Sequence, residues 1–139
     1  MTLVKKAVLA VAVLALAACG TMSSMMGGHR VNLTGAEEVP PVSTSAKGEG
    51  SFNIGSDGSV KGSVTTTGVQ GTAAHIHQGA KGQNGPVIVP LTKSGDTYTA
   101  PEGAKLNEAQ MSAYKAGNLY VNVHSAANKG GEVRAQLQP

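Results

Sequence analysis

From Val31 onward the chain is a succession of short runs in which apolar and polar residues alternate, each cut off by Gly, Ser, Asn, Asp or Pro. Alternation with a period of two buries one face of a strand, and breakers at such close intervals leave no room for long helices. The pattern predicts an all-β domain. Val31–Thr34, Gly50–Ile54 and the run from Val60 to Thr65 are the first three strands expected. Thr72–His77, a buried Val87–Thr92, a short Asp96–Thr99, Leu119–His124 and Glu132–Leu137 follow. Glu37-Glu38-Val39-Pro40-Pro41 reads as a loop, because consecutive prolines donate no ladder hydrogen bonds. Its two acids read as loop residues that point apart. Ser56-Asp57-Gly58 is a turn, and Gln78–Pro86, with four Gly or Pro residues, is a long irregular connection. One helix is expected over Asn107–Ala116, with Asn107 as cap, Gln110 at the capping-box position and Gly117 as the left-handed stop.

The first eighteen residues stand outside this pattern. Lys5 and Lys6 precede an apolar stretch, Ala7 to Ala18, that is too short for an ordinary membrane span. It ends in Leu16-Ala17-Ala18-Cys19, which resembles a bacterial lipobox. The expectation is a signal peptide over 1–18, a lipid-bearing Cys19 and a flexible tether over 19–30, followed by one domain over 31–139. The lipid would hold the protein on a membrane surface, in the periplasm or at the cell surface. Gly20, with no Asp after the cysteine, resembles outer-membrane sorting. Removing residues 1–18 from 139 leaves 121, and takes two of the eleven basic residues, so nine remain against eight acids. A mature charge of +1 and four aromatics (Phe52, Tyr98, Tyr114, Tyr120) argue against a nucleic-acid partner. Cys19 is the single cysteine, so intrachain disulfides, thiolate zinc sites and cysteine nucleophiles are excluded. The sequence leaves the oligomeric state open.

Side chains alternate across a strand. In Leu119–His124 the aliphatics Leu119, Val121 and Val123 share one face, and Tyr120, Asn122 and His124 the other. Val133, Ala135 and Leu137 oppose Glu132, Arg134 and Gln136 in the last strand. Ile76 belongs with Ala74, so His75 and His77 flank it on the opposite side. All three histidines are therefore expected on the outer, solvent face of a sandwich, with Arg134, Glu132, Asn122 and Tyr120. If the two strands are neighbours, three imidazoles converge. Such a set suits copper, zinc, nickel or iron, and the affinity order favours copper. Zinc with three histidines and an open position is also chemically sensible. Without a metal, the same histidines are ordinary exposed or hydrogen-bonded residues.

Three separate motifs carry a family resemblance. They are Leu33-Thr34-Gly35-Ala36-Glu37-Glu38-Val39-Pro40-Pro41, then Ala74-His75-Ile76-His77-Gln78-Gly79 with Asn84-Gly85-Pro86-Val87, and finally Gly117 to Ser125 followed by Gly130 to Leu137. Together, over about residues 31–138, they resemble the CHRD domain. That resemblance implies a Greek-key or immunoglobulin-like β-sandwich or barrel of about seven or eight strands with one short helix, distantly similar to copper/zinc superoxide dismutase. Against the dismutase, His75 and His77 resemble the His-X-His copper strand, and His124 a further copper histidine. Arg134 is a candidate for the anion-guiding arginine, although its spacing differs. The bridging histidine, the zinc ligands and the paired cysteines have no counterpart. The resemblance thus implies a mononuclear three-histidine copper site with superoxide as a substrate to test. Asn122 and Glu132 are candidates to orient a ligand from behind. The tether offers Met22, Met25, Met26 and His29, whose soft thioethers and imidazole favour Cu(I). Three functions compete: a copper redox enzyme, a copper storage or delivery protein, and a metal-free adhesion or ligand-binding module.

Overall fold

The computed structural model describes residues 28–139. Cys19, Met22, Met25 and Met26, with the signal peptide and most of the tether, lie outside the described residues. Among the described residues, nine strands form one continuous antiparallel sheet that curls into a nearly closed barrel. They are β1 (His29–Thr34), β2 (Lys47–Ile54), β3 (Val60–Thr67), β4 (Gly71–Gln78), β5 (Val87–Pro90), β6 (Thr92–Ser94), β7 (Thr97–Thr99), β8 (Leu119–Ser125) and β9 (Val133–Leu137). The order across the sheet is β5-β4-β8-β9-β1-β2-β3-β7-β6. The pairs β4–β8, β9–β1 and β3–β7 join strands distant in sequence, so the chain crosses over the barrel ends. The core is the predicted aliphatic face: Leu33, Val64, Ile76, Leu119, Val121, Val123 and Val133 are fully buried.

The helix forms as the sequence predicts. Helix α1 (Glu108–Lys115) starts at Asn107, whose side chain accepts from the Gln110 amide, while the Gln110 side chain accepts from the Asn107 amide. Gly117 ends it at φ +77°. β2 begins three residues early at Lys47 and β3 runs on to Thr67, and two further differences from expectation change an assignment. The strand predicted over Val87–Thr92 is broken at Leu91 into β5 and β6, and Val87 is exposed. Pro90 cannot donate to a ladder, and the Leu91 amide makes the last bond to neighbouring β4, at the Ala74 carbonyl, before the chain leaves to pair with β7. β1 also begins two residues early. His29 and Arg30 pair with Phe52 and Ser51, so His29 belongs to the sheet rather than to the tether.

Candidate metal centre

β4 and β8 are antiparallel neighbours, with His75 opposite Asn122, His77 opposite Tyr120, and Ala73 opposite His124. His124 thus lies diagonal to His75 on the same face, within the reach of long side chains. The three rings converge. Their centroids are 4.8 Å apart for His75 and His124, 5.6 Å for His75 and His77, and 5.9 Å for His77 and His124. One nitrogen from each ring lies within 4.8 Å of the other two.

Hydrogen bonds fix which nitrogen is free. His77 Nδ1 is 2.9 Å from the Gly85 carbonyl and His124 Nδ1 is 2.7 Å from the Lys129 carbonyl. A carbonyl only accepts, so both Nδ1 atoms carry hydrogen and both Nε2 atoms present lone pairs. His124 Nε2 in turn lies 3.0 Å from His75 Nδ1. His77 Nε2 is buried and has no hydrogen-bond partner among the described residues. Metal-ligating histidines characteristically donate their other ring nitrogen to a carbonyl or carboxylate, and His77 and His124 do so. Ligands of one metal with bonds near 2.0–2.1 Å stand roughly 3.3–3.6 Å apart. Closure on an ion therefore needs ring movements of only about 1 Å. The residues present fit a three-nitrogen metal site.

The electrostatics favour the neutral, ligating form. Burial, followed by the neighbouring imidazoles His124 and His77, holds His75 below the ordinary histidine range. His77 is also lowered, first by burial. The hydrogen bond to Gly85 and the neighbouring Asn122 side chain work against this, and the charges of His124 and Arg134 work with it.

The face carrying these residues is not the solvent face that alternation predicts. His77 is 7% exposed, Tyr120 and Asn122 2%, and Arg134 1%, while His75 and His124 stay partly open. The irregular segment after β4 folds back over them. Its Gly85 amide donates to Tyr120 Oη at 3.0 Å, and Gln136 donates to the Gly79 carbonyl at 2.8 Å. The Asn84 side chain donates to the Val39 carbonyl at 2.7 Å and so joins this cover to the loop after β1. Two glycines make room. A Cβ at Gly85 would collide with the Gln78 carbonyl, and one at Gly79 would come within 2.9 Å of the Tyr120 ring.

Arg134, expected as a solvated cation, is instead part of this buried layer. Its guanidinium lies 3.5 Å from the centre of the Tyr120 ring, and that ring stacks on His77 with centroids 4.7 Å apart and planes 3° from parallel. Arg134 donates to the Ala80 carbonyl at 3.1 Å and to the Gln136 side chain at 3.3 Å. Its charge reaches His77 across Tyr120. Asn122 stands beside His77, as the sequence suggests. Glu132 turns to Asn128, whose amide donates to it at 2.9 Å, within the turn whose Lys129 carbonyl orients His124. The described part of the tether contributes nothing here, since His29 sits on β1.

Glu38 was missed by the sequence reading. It follows a 3-10 turn (Gly35–Glu37) that tucks it inward to 3% exposure, next to Asn122. Burial raises its carboxyl to about 7, against the opposing pull of the Arg134 charge and of the neighbouring Asn122 side chain. No local signal distinguishes it from Glu37, which stays near the surface in an ion pair with Lys81 at 3.6 Å.

The CHRD domain family matches residues 29–137, most of the chain and all nine strands. None of the curated proteins and none of the solved structures compared with the chain matches it.

Proposed function

The chain belongs to the CHRD-domain family, and for this member we propose a mononuclear copper site held by His75, His77 and His124. The reading rests on one observation above the rest. His77 and His124 each have Nδ1 tied to a backbone carbonyl and Nε2 turned into one cluster of three rings, where the His77 atom has no partner among the described residues and the His124 atom meets His75 Nδ1 at 3.0 Å. A buried ring nitrogen without a partner costs free energy unless something occupies its lone pair, and His77 Nε2 is such an atom. Copper is preferred to zinc by the affinity order alone, so the choice of metal belongs to the test.

Bound copper would supply a one-electron couple. The chain supplies the rest. His77, clamped between Gly85 and the Tyr120 ring, is the fixed ligand, while His75 and His124 are half-buried and border solvent. A small diatomic anion can approach from that open flank, and the Arg134 charge behind Tyr120 makes the site more attractive to it. Superoxide disproportionation is the reaction proposed. The protein is further proposed to be exported and anchored through a lipid on Cys19 in a bacterial envelope, with Met22, Met25 and Met26 as accessory Cu(I) groups. Among the described residues no helix is long and apolar enough to cross a membrane.

Copper titration followed by electron paramagnetic resonance, with a superoxide assay on the same sample, tests the reading. One Cu(II) per chain with nitrogen hyperfine structure and rapid turnover is the expected result. Binding without turnover would leave copper storage or delivery. Zinc bound in preference to copper would change the metal, and no specific binding of either would reject the site.

A further inference from the structure

Behind the three histidines lies a second polar cluster whose groups are buried and incompletely partnered. Glu38 Oε1, Asn122 Oδ1 and His77 Nε2 all lack a hydrogen-bond partner among the described residues. They occur in succession. Glu38 interacts with the Asn122 side chain, and Asn122 in turn interacts with His77. The Asn122 amide nitrogen is additionally held by the Gly130 carbonyl at 3.2 Å, which fixes the amide plane. Gly131, at φ +127°, leaves the junction open, since a Cβ there would collide with both Asn122 and Glu38.

This cluster has its own access. A groove of about 530 Å³ is lined by Glu38, Val39, Asn84, Asn128, Gly130 and Gly131, among others. Glu38 thus contacts the groove on one side and Asn122 on the other. The charged groups around it are few. Arg134 faces it from β9, and His77 stands behind Asn122 on β4. Glu132 is turned to Asn128, and Lys81 is drawn to Glu37 on the outside of the loop.

We propose that Glu38 is the proton-holding residue of the histidine site, coupled to it through Asn122 and supplied with protons from solvent through the groove. This inference rests on the copper reading above. A buried carboxyl close to a metal responds to the metal's charge. Glu38 takes up one proton when the site gains an electron and loses one positive charge, and releases it when the charge returns. For superoxide the balance is complete. One superoxide gives up an electron and leaves as dioxygen, while Glu38 is protonated from water. A second superoxide takes that electron and two protons from water and leaves as hydrogen peroxide, while Glu38 returns its proton to solvent through the groove. Glu38 is a positioning residue in this scheme, since it acts on the site through Asn122.

Two measurements on the full chain test it. Infrared spectra of metal-free protein, taken across the neutral pH range, should show a protonated carboxyl stretch that fades near pH 7 and is missing from Glu38→Gln. In copper-loaded protein poised at a fixed applied potential, the Cu(I)/Cu(II) ratio should fall by up to about tenfold per pH unit. In Glu38→Gln, with copper still bound, that dependence should flatten. A wild-type spectrum without the band, or the same pH dependence in both proteins, would overturn the proposal. A chain that takes up no copper would overturn the metal reading and the coupling together. The metal-free infrared band would still report separately whether Glu38 holds a proton.

Discussion

Replacing Glu38 by glutamine should make the metal-free protein more stable at alkaline pH and leave it unchanged in acid. Glu38 is buried at 3% exposure and its carboxyl is raised from 4.5 to about 7, chiefly by desolvation. The sign follows from proton linkage. Below pH 4.5 the carboxyl is protonated both folded and unfolded, and ionisation contributes nothing to the difference. As pH rises toward 7 the unfolded chain ionises first, so stability present in acid is progressively lost. Each pH unit in that window costs about 1.4 kcal/mol, and the whole shift amounts to about 3 kcal/mol. Glutamine matches the shape and cannot ionise. The difference between Glu38→Gln and wild type should therefore grow from near zero at pH 4.5 to about 2–3 kcal/mol at pH 8. Urea unfolding at half-unit pH steps reads this as a midpoint gap that widens by roughly 1–2 M. His75 and His77, both lowered, add the opposite trend, since their contribution is present above their unfolded value and lost as pH falls. They titrate in both proteins and cancel in the difference. A gap independent of pH would refute the reasoning, because it would mean that Glu38 is already ionised within the fold.

Single alanine substitutions at His75, His77 or His124 should each weaken Cu(II) binding by more than about tenfold and alter the nitrogen hyperfine pattern, since all three rings supply donors. Gly85→Ala should reduce copper affinity by roughly 10–100-fold without touching a ligand: its Cβ would collide with Gln78 and displace the carbonyl that holds His77. Arg134→Ala should destabilise the fold by about 3 kcal/mol in thermal or urea melts, because it empties the buried face of Tyr120 and strips partners from Ala80 and Gln136. Asn107→Ala removes the side-chain arm of the capping box, the bond accepted from the Gln110 amide, and should cost about 1 kcal/mol, with copper affinity intact. Deleting residues 20–27, which removes Met22, Met25 and Met26 and spares β1, should weaken Cu(I) capture while preserving the Cu(II) spectrum, as competition with a cuprous chelator would report.

Periodicity carries the barrel because it is local. Leu119, Val121 and Val123 alternate with Tyr120, Asn122 and His124, and no other register buries the aliphatic set. His75 and His77 follow from the same rule, and their meeting with His124 needs only the β4–β8 pairing. What alternation does not tell is whether the second face meets water. An antiparallel sheet commonly buries one face and solvates the other, and Asn122, Arg134 and Gln136 look like a solvated face. Here the glycine-rich stretch 79–86 and the loop carrying Glu38 lie over it, and that is a non-local event. It is marked in the sequence only by glycines whose missing side chains admit Tyr120, Gln78 and Asn122. The cover changes the chemistry of the whole layer. Exposed, Arg134 would be a mobile cation, Glu38 an ordinary carboxylate and His77 a titrating surface imidazole. Under the cover, Arg134 presses on Tyr120, His77 stays neutral with one fixed tautomer, and Glu38 keeps its proton near neutral pH. An outer face of this kind is a buried polar network rather than a surface. Its atoms at His77, Asn122 and Glu38 that lack partners among the described residues are the ones the proposed metal and proton would complete.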